Sequence, residues 1–464
     1  MSGKVQLYIP TSIYAGLSPA IDTSFKEQIE LLKSQIALRT SCKASVVILG
    51  AGPAGLLRAI EAVMNGNPVH VIEKRSEGRS GRINTVELTR ETIAVLKKSA
   101  VYQYLIENKL IDSPRKDGSI HVRLTDLELA MKEVLTRLSP QQVVIYDARV
   151  TAINDQSEKI SVMIAVKDRS LSIGGVDILV NTEGSRSTTN ALLGIGRTQV
   201  LPSFPAITAI YRDTRPKITG GISAVRYVGR SIGDVARTIY YHVQLIFLLI
   251  VSKNFRSQII GAVILSTPKQ AYIGGAFSDE INAKMLALQG SFCEKRSALQ
   301  RASTPDEIAR CKKEFKTAEA DYWKFASRWI HLSLAMANLI AILLRSESRY
   351  RAMALHRSLK KFEVVMIGAD RAAAFSKRIK GTFVLLAGDA AATVDPATGL
   401  GCNTAINTGV FFTDLLSGFE QGSVDKESLL LEYENGMSER TSYIHYESKR
   451  IRAQYRPEDV SLIA

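Results

Sequence analysis

The chain has 464 residues, of which 46% are hydrophobic and 23% charged, with 31 Gly and only 13 Pro. That length supports two or three cores, and the balance excludes a disordered, collagen-like or disulfide-stapled protein. Sixty Lys and Arg against 45 Asp and Glu leave a formal net charge of +15, which attracts an anionic cofactor, nucleic acid or an acidic membrane surface without choosing among them.

Cys42, Cys293, Cys311 and Cys402 form no CxxC pair, so neither a zinc knuckle nor a disulfide framework is indicated, and a reducing, cytoplasmic setting is expected. Met1 to Ser18 lacks the basic start and apolar run of a signal peptide. The longest nearly apolar stretches, Ile239 to Val251 and Leu332 to Leu344, would span roughly 20 Å as helices, short of a ~30 Å hydrocarbon layer. No transmembrane helix is expected; peripheral contact with an anionic membrane stays open.

In chain order, Phe25, Ile29, Leu32 and Ile36 are spaced as one helical stripe, which either packs on the following domain or faces a partner. Ser45 to Leu49 is a short apolar run ending at Gly50. Pro53 then stands where its missing N–H costs a starting helix nothing, Ala54 to Val63 continues that helix, and Val69 to Ile72 reads as a second strand. This is a βαβ unit. Leu127, Ala130, Met131, Val134 and Leu135 repeat at helical spacing, and β-like runs follow at Val143 to Tyr146, Ser161 to Val166 and Asp177 to Val180. Phe204 to Phe277 is rich in Val, Ile and Tyr, whereas Asp306 to Phe362 is strongly helical. Phe383 to Ala387, another apolar run ending in glycine, reads as a return to the first sheet. The expected division is 1–40 as a helical extension, 41–200 with 362–425 as a discontinuous nucleotide-binding domain, 201–361 as an inserted substrate domain, and 426–464 as a helical tail.

Gly50, Gly52 and Gly55 form GxGxxG between a strand and a helix. There the first glycine allows the tight turn, the second admits a diphosphate to the backbone, and the third lets helix and strand pack. Exposed N–H groups, Ala54 among them, and the positive helix end would receive the diphosphate. Glu73 closes the second strand about 20 residues beyond the turn, where a carboxylate accepts adenosine ribose hydroxyls, with Lys74 beside it. Its charge disfavours a 2′-phosphate, so FAD or NAD is expected in this pocket rather than NADP.

A second motif chooses between them. Leu385 to Ala391 (LLAGDAA), continuing through Asp395-Pro396-Ala397-Thr398-Gly399-Leu400-Gly401-Cys402-Asn403, resembles the FAD-dependent aromatic hydroxylases. That p-hydroxybenzoate-hydroxylase-like class includes squalene epoxidases and the MICAL monooxygenase domain. The resemblance covers roughly Ala44 to Arg197 and Phe362 to Gly422. It implies an α/β fold: a three-layer, Rossmann-like, glutathione-reductase-like FAD domain with an inserted α+β substrate domain. It also implies that Gly388 and Asp389 hold the ribityl chain, that Pro396, Gly399 and Gly401 border the isoalloxazine, and that Asn403 belongs to the same cofactor-binding stretch. A helix starting near Gly401 would aim its amide dipoles at the ring.

Asn181 to Ser187 resembles the Asp-Gly motif of the class near the diphosphate, with Glu183 in place of aspartate and Gly184 following. Arg82 falls in the stretch where the class puts an arginine near the flavin or diphosphate, and Arg123, ahead of a similarly placed helix, is a second basic candidate.

The activity implied is NADPH- or NADH-driven hydroxylation or epoxidation of an organic, partly apolar substrate with O2, through a flavin C4a-hydroperoxide, with Pro396, Gly399 and His242 as the catalytic set. No GxSxG, HExxH or clustered His and Cys set competes with this reading. His242, next to Tyr240 and Tyr241, is better explained by aromatic packing than by catalysis, and Tyr211, Tyr227 and Tyr272 are similarly placed.

The apolar arc through Tyr322, Trp323, Phe325, Trp329, Leu332, Leu334, Met336, Leu339 and Ile342 reads as core, with a substrate channel or a membrane face aided by Arg345, Arg349 and Arg351 as alternatives. A macromolecular substrate stays open, while scattered Lys and Arg without a recognition motif argue against nucleic acid, a tRNA substrate being the residual case. Two rivals remain: a geranylgeranyl-reductase-like FAD-dependent reductase, and a non-catalytic protein organised by FAD.

Overall fold

The computed structural model describes residues 24–38, 44–76, 84–111, 114, 117–139, 144–167, 169–212, 259–266, 270–343, 359–421, 425–455 and 460. The strands are β1 (Val46–Leu49), β2 (Val69–Ile72), β3 (Thr85–Leu88), β4 (Ile120–Arg123), β5 (Val144–Ile145), β6 (Ala148–Asn154), β7 (Ile160–Val166), β8 (Arg169–Val176), β9 (Ile178–Asn181), β10 (Arg197–Arg212), β11 (Ile259–Ser266), β12 (Gln270–Phe277), β13 (Leu359–Ala372), β14 (Ser376–Ile379) and β15 (Thr382–Leu386). The helices are α1 (Phe25–Ala37), α2 (Pro53–Met64), α3 (Arg90–Lys98), α4 (Val101–Glu107), α5 (Leu124–Leu138), α6 (Thr188–Leu192), α7 (Asp279–Arg301), α8 (Pro305–Leu343), α9 (Leu400–Asn407), α10 (Gly409–Gln421) and α11 (Lys426–Tyr455).

The chain divides into two compact units: residues 1–82, 86–202 and 368–464, and residues 83–85 with 203–367. In the first, six strands run in the order β14-β15-β9-β1-β2-β5. β1 lies parallel to both β2 and β9, and β15 lies parallel to β9. The late run Thr382–Leu386 therefore does return to the sheet that the glycine turn opens. All four side chains of β1 and all five of β15 are buried, as the unbroken apolar runs of a parallel strand require. Each fully buried Val, Leu or Ile stabilises by ~1.5–3 kcal/mol.

Helices α1, α2 and α5 and the antiparallel meander β6-β7-β8 join the same core. The α/β expectation with an inserted α+β unit holds. Ser24 and Glu27 make a capping box at the start of α1, and Phe25, Ile29 and Leu32 are buried on one face. Of the two alternatives for this helix, packing is the one realised. Helix α11 packs on β14 and α10, so the C-terminal segment is a wall of this unit rather than a tail.

The second unit holds a four-stranded sheet, β11-β12-β10-β13, with β12 antiparallel to β11 and β10, and a hairpin of α7 and α8. Phe292 lies 5.3 Å from Phe315 and 5.7 Å from Tyr322 between ring centroids. Tyr322, Ala326, Trp329 and Leu332 are buried, so this part of the apolar arc is core. Among the described residues no helix is long and apolar enough to cross a membrane.

Candidate cofactor site

β1 ends at Leu49, and the Gly50 N–H donates to Ile72 O at 2.8 Å, which fixes the turn against β2. Gly52 is the N-cap of α2, Pro53 occupies its first turn, and no side chain caps it. The first-turn amides of this helix are thus available to an anion, at the positive end of its dipole.

Gly55 has a steric reason. A Cβ there would stand 1.9 Å from Gly50 O and 2.5 Å from Thr182 Oγ1. The Thr182 hydroxyl, just past β9, lies 2.8 Å from Leu49 O and 2.9 Å from Gly50 O, knitting a third strand to the turn. Around this end lies a cavity of about 230 Å³ lined by Gly50, Gly52, Ile72, Glu73, Lys74, Arg75, Thr182 and Glu183.

Glu73 is buried, and each of its oxygens accepts twice. Oε2 takes the Ala51 N–H at 2.7 Å and Arg75 Nη2 at 2.9 Å; Oε1 takes the Arg75 N–H at 2.8 Å and Arg75 Nε at 3.0 Å. Burial alone would raise its pKa, but the bonds from Arg75 and the Ala51 N–H outweigh it and hold the carboxyl below the usual range. Arg75 also pairs with the buried Glu128 at 3.5 Å. Sequence reasoning missed Arg75, because nothing in the spacing distinguishes it from a surface charge.

The late motif meets the early one. Gly388 has φ +58°, and a Cβ on it would come within 2.9 Å of the Ala54 Cβ, so the Gly-Asp pair sits directly against the first turn of α2. Asp389 is exposed. The Arg197 guanidinium donates to Ala390 O at 2.5 Å and to Asp389 O at 3.1 Å, and pairs with Asp370. Asn190 Nδ2 reaches Ala390 O at 3.1 Å. Both residues hold the backbone from which Asp389 projects, and neither was singled out from the sequence.

Further on, Pro396–Thr398 forms a 3-10 turn and Gly399, left-handed at φ +67°, is the N-cap of α9. Pro396 and Gly399 are exposed and Gly401 is half-buried. Asn403 is fully engaged: Nδ2 donates to Glu87 O and Gly399 O, both at 2.8 Å, and Oδ1 accepts from the Thr89 N–H at 2.9 Å and the Thr92 hydroxyl at 2.7 Å. Its side chain ties the Gly399 turn to the segment leading into α3.

Glu183 lines the cavity but its Oε2 accepts from the Ser187 hydroxyl at 2.7 Å and the Thr189 N–H at 3.4 Å, and Gly184 follows at φ +97°. Arg123 is the N-cap residue of α5 and lies 3.7 Å from Asp126; it does not line the cavity. Arg82 and His242 lie outside the described residues, as do Arg345, Arg349 and Arg351. Among the described residues no His, Cys, Asp and Glu group could hold a metal.

Residues 351–444 match the FAD binding domain family. Among solved structures, one similar chain is PqsL of Pseudomonas aeruginosa, a probable FAD-dependent monooxygenase, at TM-score 0.55 and 16% identity over 91% of this chain and 99% of that one. The p-nitrophenol 4-monooxygenase of Pseudomonas putida aligns at TM-score 0.54 and 14% identity, covering 91% and 94%. Aklavinone-11 hydroxylase, solved with FAD and aklavinone, aligns at TM-score 0.55 and 15% identity, covering 91% and 71%. No curated protein sequence matches the chain significantly. The chain shares its fold with these solved structures, and the match to the FAD binding domain family lies within residues 351–444.

Proposed function

We propose that the chain is an FAD-dependent monooxygenase that uses NADPH or NADH and O2 to oxygenate an organic, partly apolar substrate. The observation that carries this reading is the close approach of Gly388 to Ala54, where an added Cβ would stand 2.9 Å from the Ala54 Cβ, so the glycine turn and the Gly-Asp pair lie together. The uncapped first turn of α2 and the cavity bordered by Gly50, Gly52 and Glu73 fit the adenosine diphosphate half of FAD. Two of the structural neighbours act, by name, on p-nitrophenol and aklavinone, which supports an aromatic substrate here as well.

When bound, FAD would supply the hydride acceptor and the oxygen-activating ring. The chain's own residues divide the remaining tasks. Ala54 and Gly55 offer N–H groups to the diphosphate. Glu73 accepts from the ribose hydroxyls in competition with Arg75, which fills its lone pairs. Asp389 accepts from the ribityl hydroxyls. Pro396, Gly399 and Gly401 would border the ring, and the amide dipoles at the start of α9 would favour negative charge on it. Lys74, Arg82, Arg123, Glu183 and Gly184 complete the proposed cofactor set, and His242 the catalytic set.

The test is reconstitution with FAD, followed by NAD(P)H oxidation under O2 with a panel of phenols and fused-ring aromatics. Product gaining one oxygen atom supports the proposal. A gain of two hydrogens instead would assign a reductase, and FAD that NAD(P)H never reduces would assign a non-catalytic flavoprotein.

A further inference from the structure

Helix α11 carries a buried stripe that no apolar pattern announces. Leu430, Tyr433, Met437, Thr441, Ile444, Ser448 and Arg452 follow one another at three- and four-residue steps and are all buried, and the last turns of this stripe are polar. Ser448 and Arg452, with the neighbouring His445, converge on one segment. His445 Nε2 lies 3.0 Å from Thr393 O. The Ser448 hydroxyl accepts the Asp395 N–H at 3.2 Å, and Arg452 Nε donates to Asp395 Oδ2 at 2.7 Å, with side chains 0% and 1% exposed. Arg452 Nη1 reaches on to Pro202 O at 3.0 Å.

Asp395 in turn holds the next residues. Its carbonyl accepts the Thr398 N–H at 3.0 Å and the Thr398 hydroxyl at 2.8 Å, and Thr398 Oγ1 accepts the Leu400 N–H at 3.1 Å. One residue thus joins the C-terminal helix to the turn Pro396–Thr398 and to the start of α9. A fully buried ion pair is retained at a desolvation cost that an apolar contact would avoid, and its return is a fixed geometry.

We propose that Arg452 is a positioning residue for the cofactor: through Asp395 it sets the Pro396–Gly399 turn at the isoalloxazine end of the site, without touching the cofactor. This rests on the functional reading above, which puts that turn beside the ring. Because α11 makes no contribution to the cavity around Gly50 and Glu73, Arg452 governs the flavin end and leaves the adenosine end alone.

Full-length Arg452→Lys keeps the charge but cannot reach Asp395 and Pro202 with one planar fork; Asp395→Asn keeps the shape and removes the charge, so one is usable if the other fails to fold. Each is freed of flavin, its melting temperature is recorded, and it is titrated with FAD and, separately, with ADP, which occupies only the adenosine end. The expected result is FAD affinity lowered ~10-fold with ADP affinity held within ~2-fold, together with faster hydrogen exchange over Thr393–Leu400. FAD and ADP weakened in equal proportion, or a lower melting temperature with both affinities unchanged, would overturn the inference and leave a packing role. A wild-type chain that binds ADP and never FAD would instead overturn the functional reading, and this inference with it.

Discussion

At the proposed adenosine end of the site, Gly50 to Gly52 turns into the start of α2, Glu73 and Arg75 follow the neighbouring strand, and Thr182 binds the Leu49 and Gly50 carbonyls from the strand on the other side. At the proposed flavin end, Pro396 and Gly399 are exposed, and the residues just before that turn, Thr393 and Asp395, are held by His445, Ser448 and Arg452 of α11. The first end takes its turn from glycine geometry in a short segment, with the Thr182 and Glu73 side chains bonding to that turn. The second borrows its shape from side chains far along the chain. A contiguous motif therefore marks most of the proposed adenosine half, whereas the proposed flavin half is held mainly by tertiary contacts.

The largest break in this comparison is expected at Gly55. Gly55→Val would drive a branched side chain into Gly50 O, where even a Cβ stands 1.9 Å away, so backbone must move. A stability loss above ~3 kcal/mol is expected from such overpacking, with FAD and ADP binding both abolished; denaturant unfolding and titration check it. Normal ADP binding by this variant would remove the packing role assigned to the third glycine.

Asp389→Ala should act on one end only. Losing a charged hydrogen-bond acceptor costs ~1.5–3 kcal/mol, or ~10- to 100-fold in FAD affinity, with ADP unaffected. Fluorescence titration of both ligands reads the outcome, and equal loss for the two would mean that Asp389 does not face the ribityl chain.

The smallest effect on the cofactor is expected behind α2. Burial pushes the Glu61 carboxyl up to about 7 from an ordinary 4.5, with Arg58 offsetting part of the rise and Asp414 adding to it. Between those values the folded chain keeps a proton that the unfolded chain has released, so stability falls as pH rises from about 4.5 to about 7. The full loss is on the order of 3 kcal/mol. Glu61→Gln should flatten that slope while leaving FAD affinity within ~2-fold; melting curves across the window, with slopes equal in the two proteins, would contradict the assignment.

Much of the first unit was legible in the sequence because its chemistry is periodic or contiguous. Unbroken apolar runs gave β1 and β15, mostly apolar runs gave β2 and β9, and glycine spacing gave the turn. β8 was not legible: Arg169–Val176 is polar, glycine-bearing and mostly exposed, so nothing marks it except pairing with β7. The role of α11 was hidden for a related reason. Its stripe continues through Thr441, Ser448 and Arg452, residue types that usually face water, and only the fold reveals that Arg452 is buried against Asp395. Arg75 and Arg197 were hidden likewise, since a basic chain offers many arginines of the same appearance. Glu73 was legible in position but not in its partnership with Arg75.

The most direct test of the central claim is titration of the folded, flavin-free chain with FAD, followed by flavin fluorescence and visible absorption. The account predicts one FAD bound per chain, with affinity lost in Gly55→Val and reduced in Asp389→Ala. A folded chain that takes up no FAD, or one whose affinity is indifferent to both substitutions, would contradict it.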